Sequence, residues 1–194
     1  QIFADLQEKP HLARVAERVL FMPDLINYLL SGVLSSEYTI ASSSGLLNIN
    51  SQTWSDSVFE TLEIPKKWFG EVTQGGKVLR SLSPRITQEL KIEPFDVIAG
   101  AGHDTAAAVL AIPYASEQPT AFISCGTWSL VGLESQNPVT SQEALAANLT
   151  NEGCFDGRYR ILKNTTGLWI IQELQRDWRL QGEDISFAEM VTLA

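Results

Sequence analysis

Gly100–Pro113 reads GAGHDTAAAVLAIP. Two glycines, a histidine, an aspartate and an alanine-rich run closed by proline predict a Gly-rich turn that feeds directly into a helix. Asp104 falls at or within the first helical turn, where backbone N–H groups and the helix dipole favour a negative charge. A cap accounts for an aspartate there by itself, and spacing alone favours it. The position also suits a general base, because an ionised carboxylate takes a proton from a hydroxyl within hydrogen-bond reach, and the glycines let a substrate come close.

Outward from that stretch, FDVIAGAG is a short apolar strand ending in glycines. PTAFISCGTWSLVGLES supplies two strands with Gly126 and Thr127 between them, GRYRILKN alternates as a strand, and TTGLWIIQELQRDWRLQ has helical periodicity. SFAEMVTLA starts another helical pattern. Strand, helix, two strands, strand and helix describe an α/β domain whose sheet is unfinished. Upstream, HLARVAERVLFMPDLINYLLSG predicts two helices, broken by Pro23 and closed by Gly32. SSEYTIASSSGLLNINSQTW reads first as a solvated Ser-rich loop, and otherwise as a helix or loop whose hydroxyls and amides face a polar partner. SDSVFETLEI is a short amphipathic helix capped by Ser55 or Asp56, and PKKWFGEVTQGGKVLRSL carries a Gly-Gly hairpin signal.

Composition sets the outer bounds. The 194 residues fit one large domain or two small ones, and 44% hydrophobic with 19% charged residues describes an ordinary globular chain. Fourteen Lys and Arg against 23 Asp and Glu give a net charge of -9 with no basic patch, which argues against a nucleic-acid partner. No apolar run approaches about 18 residues, so no membrane-spanning helix is expected. Cys125 and Cys154 lack C-x-x-C spacing, and two histidines supply a zinc site poorly. The composition reads as cytoplasmic, with both cysteines as thiols. A start at Gln1 rather than Met reads as a piece of a longer protein.

Several residues are candidates for chemistry. In SCGTWS (Ser124–Ser129), the backbone N–H groups of the turn and the Thr127 hydroxyl suit phosphate oxygens, although a strand-strand turn uses Gly and Thr for backbone reasons too. The absence of G-x-x-x-x-G-K-[ST] excludes a P-loop, and the absence of G-x-S-x-G argues against an α/β-hydrolase triad. A Cys125 nucleophile served by His103 is a rival reading, but Phe122, Ile123 and Trp128 around it predict a buried core thiol. Asn164 ends the strand and Thr165 begins the next helix, which makes Asn164 a cap or a ligand at a helix N-terminus. Ile170, Leu174 and Trp178 form the core stripe of that helix, and Gln172 faces solvent or a cleft.

Taken in order, GAGHDTAAAV, ISCGTWSLVGLES, ALAANLTNEG and GRYRILKNTTGLWIIQE closely resemble the rhamnulokinase branch of the FGGY carbohydrate-kinase family. MPDLINYLLSG, EYTIASSSGLLNINSQTW and KKWFG are similar to the sugar-domain segment of the same family. The resemblance implies an actin-like, ribonuclease-H-like α/β sugar-kinase fold, here incomplete. It assigns residues 1–95 to the end of the first, sugar-binding domain and 96–194 to the start of the second, nucleotide-binding domain. It implies ATP and Mg²⁺ as cofactors and the 1-hydroxyl of L-rhamnulose as acceptor, with related ketoses and L-fuculose behind it. Asp104 matches the family's catalytic base and His103 a sugar contact. Gly126 and Thr127 match the phosphate-binding turn, and Asn164 and Gln172 match positions that approach the nucleotide. No metal-ligating residue carries over. The family's N-terminal phosphate loop and later Gly-rich adenosine motif are absent here, so the missing segments of the same kinase are the implied partner and the chain alone is expected to be inactive. Two other readings remain, a non-catalytic sugar-binding or regulatory piece and a structural or oligomerising one.

Overall fold

The computed structural model describes residues 1–114 and 120–194. It opens with α1 (Ile2–Glu8), the single turn α2 (Leu12–Val15) and α3 (Met22–Ser31). The two helices expected between His11 and Gly32 are therefore unequal. Pro23 begins α3 rather than separating the pair, because a proline in the first turn gives up an N–H that has no helical partner there. Gly32 ends α3 at φ +74°, a left-handed conformation that glycine adopts without a Cβ clash.

Next come β1 (Ser35–Glu37) and α4 (Tyr38–Ser42). The first reading of this segment, a solvated loop, is corrected: Ser36 and Thr39 are fully buried and Glu37 is 1% exposed. Part of this buried polarity is satisfied within the segment, while Ser35 Oγ, Ser36 Oγ and Glu37 Oε1 have no partner among the described residues. Glu37 accepts the Thr39 and Ile40 N–H groups at the start of α4. The Ser42, Ser43 and Ser44 hydroxyls each bond a carbonyl three residues back.

A small hairpin, β2 (Leu47–Asn48) and β3 (Thr53–Trp54), leads into α5 (Asp56–Thr61) with Ser55 at its N-cap position. Here the apolar core gathers Leu46, Trp54, Phe59, Ile64, Trp68 and Phe69. The Trp54, Phe59 and Phe69 rings stand 5.0 to 5.8 Å apart by centroid, tilted or edge-on as aromatic quadrupoles prefer. β4 (Glu71–Thr73) pairs parallel with β1. β5 (Val78–Ser81) pairs antiparallel with β6 (Asp96–Ile98) across α6 (Pro84–Leu90). The Gly-Gly turn therefore closes no hairpin. Its flanking strands find other partners because pairing is decided by packing across the fold and not by the turn alone.

The second half carries α7 (Asp104–Leu110), β7 (Ala121–Cys125), β8 (Trp128–Ser135), α8 (Gln142–Ala146), β9 (Thr150–Gly153), β10 (Tyr159–Thr166), α9 (Trp169–Leu180) and α10 (Phe187–Leu193). Pro119, at the head of the expected β7 stretch, lies outside the described residues. Four strands form one antiparallel sheet in the order β7-β8-β10-β9, with Gly126 and Thr127 in the β7–β8 turn as expected. Its two faces differ. Phe122, Leu162 and Arg160 lie on a buried face, whereas Ile123, Val131 and Leu133 on the other are 67%, 39% and 42% exposed. Cys125 alternates with Phe122 onto the open face and is exposed, which corrects the buried-thiol reading. The apolar stripe of α9 is likewise uncovered, with Ile170 and Leu174 exposed and Trp178 half-buried. No helix of the described residues is long and apolar enough to cross a membrane.

Candidate functional site

The loop between β6 and α7 is fixed by backbone bonds to the buried β1–α4 segment. Oε2 of Glu37 accepts the Gly102 N–H at 2.9 Å, and Oγ1 of Thr39 accepts the His103 N–H at 3.1 Å. A Cβ on Gly102 would stand 2.9 Å from that carboxylate oxygen and 3.1 Å from Ile40, so glycine is what lets the loop come this close.

His103, not Asp104, is the N-cap of α7. Its Nδ1 accepts the Thr105 N–H at 3.1 Å and lies 3.2 Å from Oδ1 of Asp104. Nε2 lies 3.7 Å from Oε2 of Glu152 on β9. The same carboxylate accepts Nη2 of the fully buried Arg160 on β10 at 2.9 Å. Asp104 occupies the first helical position. Its Oδ1 accepts the Thr105 N–H at 2.6 Å, yet its side chain is 96% exposed. The histidine therefore caps the helix, and the aspartate at its first position keeps an exposed carboxylate.

α7 packs beside β7, which leads to the Gly126–Thr127 turn. The residues before α9 close that turn from below: Leu168 N–H donates to the Gly126 carbonyl, and Gly167 and Trp169 N–H to that of Thr127. The Gly126 N–H is taken by the Trp128 carbonyl, which leaves the Thr127 amide and hydroxyl as the turn's outward donors among the described residues. Asn164 is not a helix cap. It lies within β10 opposite Leu130 of β8, on the face shared with Leu162, because the strand runs on to Thr166 and α9 starts only at Trp169. Gln172 is exposed in the first turns of α9, on an open groove of about 340 Å³ walled by Leu168, Ile171, Phe187 and Met190. The fold thus groups Gly126, Thr127 and Asn164 at one end of the sheet and His103 with Asp104 on a separate rigid loop. His103 bonds Thr39 and Thr105 rather than Cys125, so the cysteine-nucleophile reading gains no geometry. Among the described residues no group of three or more His, Cys, Asp or Glu could hold a metal ion.

The FGGY family of carbohydrate kinases matches through its N-terminal domain over residues 6–111 and through its C-terminal domain over residues 121–194. This chain belongs to the FGGY family. The expected division at residues 95 and 96 falls inside the first of the two matches, ahead of α7. A rhamnulokinase from Enterobacter sp. (strain 638) is 40% identical over 194 residues, covering all of this chain and 38% of that protein. The ligand-bound xylulose kinase from Lactobacillus acidophilus superposes with a TM-score of 0.76 at 18% identity, over 98% of this chain and 38% of that one. The gluconate kinase from the same organism gives 0.72 at 18% identity, over 90% and 35%. The chain thus carries part of each FGGY domain and spans somewhat over a third of the relatives' length. Its α/β fold is that of the FGGY kinases.

Sequence reasoning missed the residues behind the candidate site. Glu37 and Thr39 lie in a stretch whose Ser-rich pattern reads as solvated, and glutamate is not among the residues that mark an N-cap, so no local signal singles Glu37 out. Arg160 on β10 and Glu152 on β9 are directly opposite in register, a pairing that sequence spacing does not show. Asp24 on α3 completes the set. Both its oxygens accept the Glu37 N–H, at 3.0 and 3.2 Å, from a fully buried position. Burial raises the Asp24 carboxyl from 3.8 to about 6, opposed by the Glu37 N–H and reinforced by the Glu37 charge. The folded state therefore holds this proton more tightly than the unfolded chain. Its contribution to stability is complete below about pH 4 and is lost as pH rises through about 6. Relative to Asp24→Asn, the wild type is expected to lose on the order of 2 kcal/mol between those limits. Urea midpoints of the two proteins at pH 4 and pH 7 check this, and parallel midpoints would contradict it.

Proposed function

We propose that this chain supplies the catalytic base, and part of the sugar and nucleotide surfaces, of an ATP-dependent kinase that phosphorylates the 1-hydroxyl of L-rhamnulose. One observation carries the reading: a carboxylate that is 96% exposed on a loop whose backbone is tied at Gly102 and His103 to buried side chains. A base needs both properties, access to the substrate and a fixed position. Asp104 accepts the proton of the sugar hydroxyl while that oxygen forms a bond to the γ-phosphorus of ATP and the bond to the ADP oxygen breaks. His103, beside Asp104 on the same loop, is the sugar contact that the family resemblance implies. The Thr127 amide and hydroxyl face phosphate oxygens where charge develops, with Gly126 keeping the turn small. Asn164 and Gln172 line the approach of the nucleotide.

Mg²⁺ would be held by the phosphate oxygens of ATP and by water, since this ion is rarely held in an all-protein cage, and among the described residues no cluster of three or more His, Cys, Asp or Glu offers one. When bound it neutralises charge on the transferred group. L-rhamnulose as acceptor rests on the 40% identity with the Enterobacter rhamnulokinase. The xylulose and gluconate kinases share the fold at 18% identity and leave the sugar open.

A second reading is favoured by a separate polar pocket of about 140 Å³ lined by Tyr38, Ser42, Asn48, Gln52, Asn151 and Tyr159. Neither His103 nor Asp104 lines it, which suits a sugar held without phosphoryl transfer. ADP release with Mg-ATP and L-rhamnulose, L-fuculose, xylulose or glycerol separates the readings, run on this chain and on a kinase of the relatives' full length that carries it. Turnover is expected from the longer protein alone, fastest with L-rhamnulose. Sugar binding without ADP release from either protein would instead support the second reading.

A further inference from the structure

We infer that Glu37 is a positioning residue for Asp104, acting through the Gly102–His103 backbone; the inference rests on the base reading of Asp104. A single oxygen of Glu37, Oε2, accepts four bonds: from Thr39 N–H at 3.0 Å, Thr39 Oγ1 at 2.6 Å, Ile40 N–H at 3.2 Å and Gly102 N–H at 2.9 Å. Thr39 Oγ1, donating to Glu37, in turn accepts the His103 N–H at 3.1 Å. Two consecutive amides immediately before Asp104 are thereby held by one buried carboxylate and the hydroxyl it orients. The carboxylate is itself held in place, since its residue's N–H is clasped by both oxygens of Asp24.

Charge makes this clamp stronger than a neutral one, because hydrogen bonds to an ionised acceptor are roughly twice as strong as those between neutral groups. The other oxygen, Oε1, is buried and has no partner among the described residues. A carboxylate needed only to cap α4 could do so from the surface. Leaving one oxygen buried and unpaired while the other gathers four donors fits a group kept for the Gly102 contact. Asp104 has no comparable support of its own. Its side chain meets Thr105 and the His103 ring and is otherwise exposed, so its aim is inherited from the backbone behind it. A shift of about 1 Å in such a group costs about 100-fold in rate.

The test is a double-mutant cycle in the full-length kinase with Glu37→Gln and Asp104→Asn. Glu37→Gln is expected to lower kcat by about 10- to 100-fold, with KM changed by less than about threefold. In the Asp104→Asn background the same change is expected to cost less than about twofold, because the group it positions is gone. A merely structural role would multiply the two losses instead, and that result overturns the inference while leaving the base reading intact. Full kcat in Asp104→Asn overturns the base reading and this inference with it. Should Glu37→Gln not fold, Thr39→Val replaces it in the cycle, with Thr39→Ser expected to recover most of what valine loses. Full kcat in Thr39→Val, or equal losses from valine and serine, overturns the inference.

Discussion

Replacing Asp104 with asparagine in the full-length kinase lowers kcat by about 10²- to 10⁴-fold, the range expected when a positioned general base is removed. The fold should not register the change. The side chain is 96% exposed, asparagine keeps an acceptor for the Thr105 N–H, and the cap of α7 is supplied by His103. The two measurements belong together, kcat for L-rhamnulose phosphorylation and the melting temperature of the same preparation. A rate loss with an unchanged melting temperature assigns the defect to proton transfer. Retention of full kcat sinks the base assignment, and a melting temperature that falls with the rate would attribute the loss to the helix start instead.

Replacing Glu152 with glutamine destabilises the protein by about 3 kcal/mol, the scale seen when one member of a buried ion pair is removed. Arg160 is fully buried, and among the described residues only Glu152 accepts from its guanidinium; Nε and Nη1 are unpaired. Burial pulls the Arg160 pKa down and Glu152 is the leading opposing influence, so the pair is held together against a large desolvation cost. With glutamine the guanidinium stays buried without its hydrogen-bonded counter-charge, and only weaker influences, Asp104 and Glu134 among them, remain. Adding Arg160→Met to Glu152→Gln should recover much of the loss, since an apolar side chain of similar length needs no partner there. Urea midpoints at constant m-value are the measurement. A Glu152→Gln loss below about 1 kcal/mol would mean that water or another carboxylate already solvates Arg160.

Much of this arrangement could be read from residue order. Two glycines, a polar pair, alanines and a proline specified α7 and its start, and Gly126 with Thr127 between two β-rich runs specified the β7–β8 hairpin. What periodicity could not convey is whether anything covers a stripe. Ile170 and Leu174 recur as a core face, yet in this chain both are exposed. Polarity misled in the opposite sense at β1 and α4, where Glu37 and Thr39 are inside bonded to each other and to the Gly102 and His103 amides, a fact that belongs to pairs of residues and not to single ones. Asn164 was misplaced by a boundary: Thr165 and Thr166 extend the ladder, and only the register against Ser129 and Trp128 reveals it. Of the site, the exposed aspartate and its histidine were legible because their neighbours in sequence are also their local context. Their supports were not, because each comes from a distant strand or helix.

That distance bears on how the protein acquires its shape. The Gly102 amide meets Glu37 across 65 residues of chain, and the His103 amide meets Thr39 across 64. Closing such spans carries an entropy cost that short-range bonds within a helix do not, so α7 can wind early while its anchorage waits for β1 and α4 to be in place. A chain arrested between those two events would already show α7 by circular dichroism, with its carboxylate swinging freely and pointed nowhere in particular.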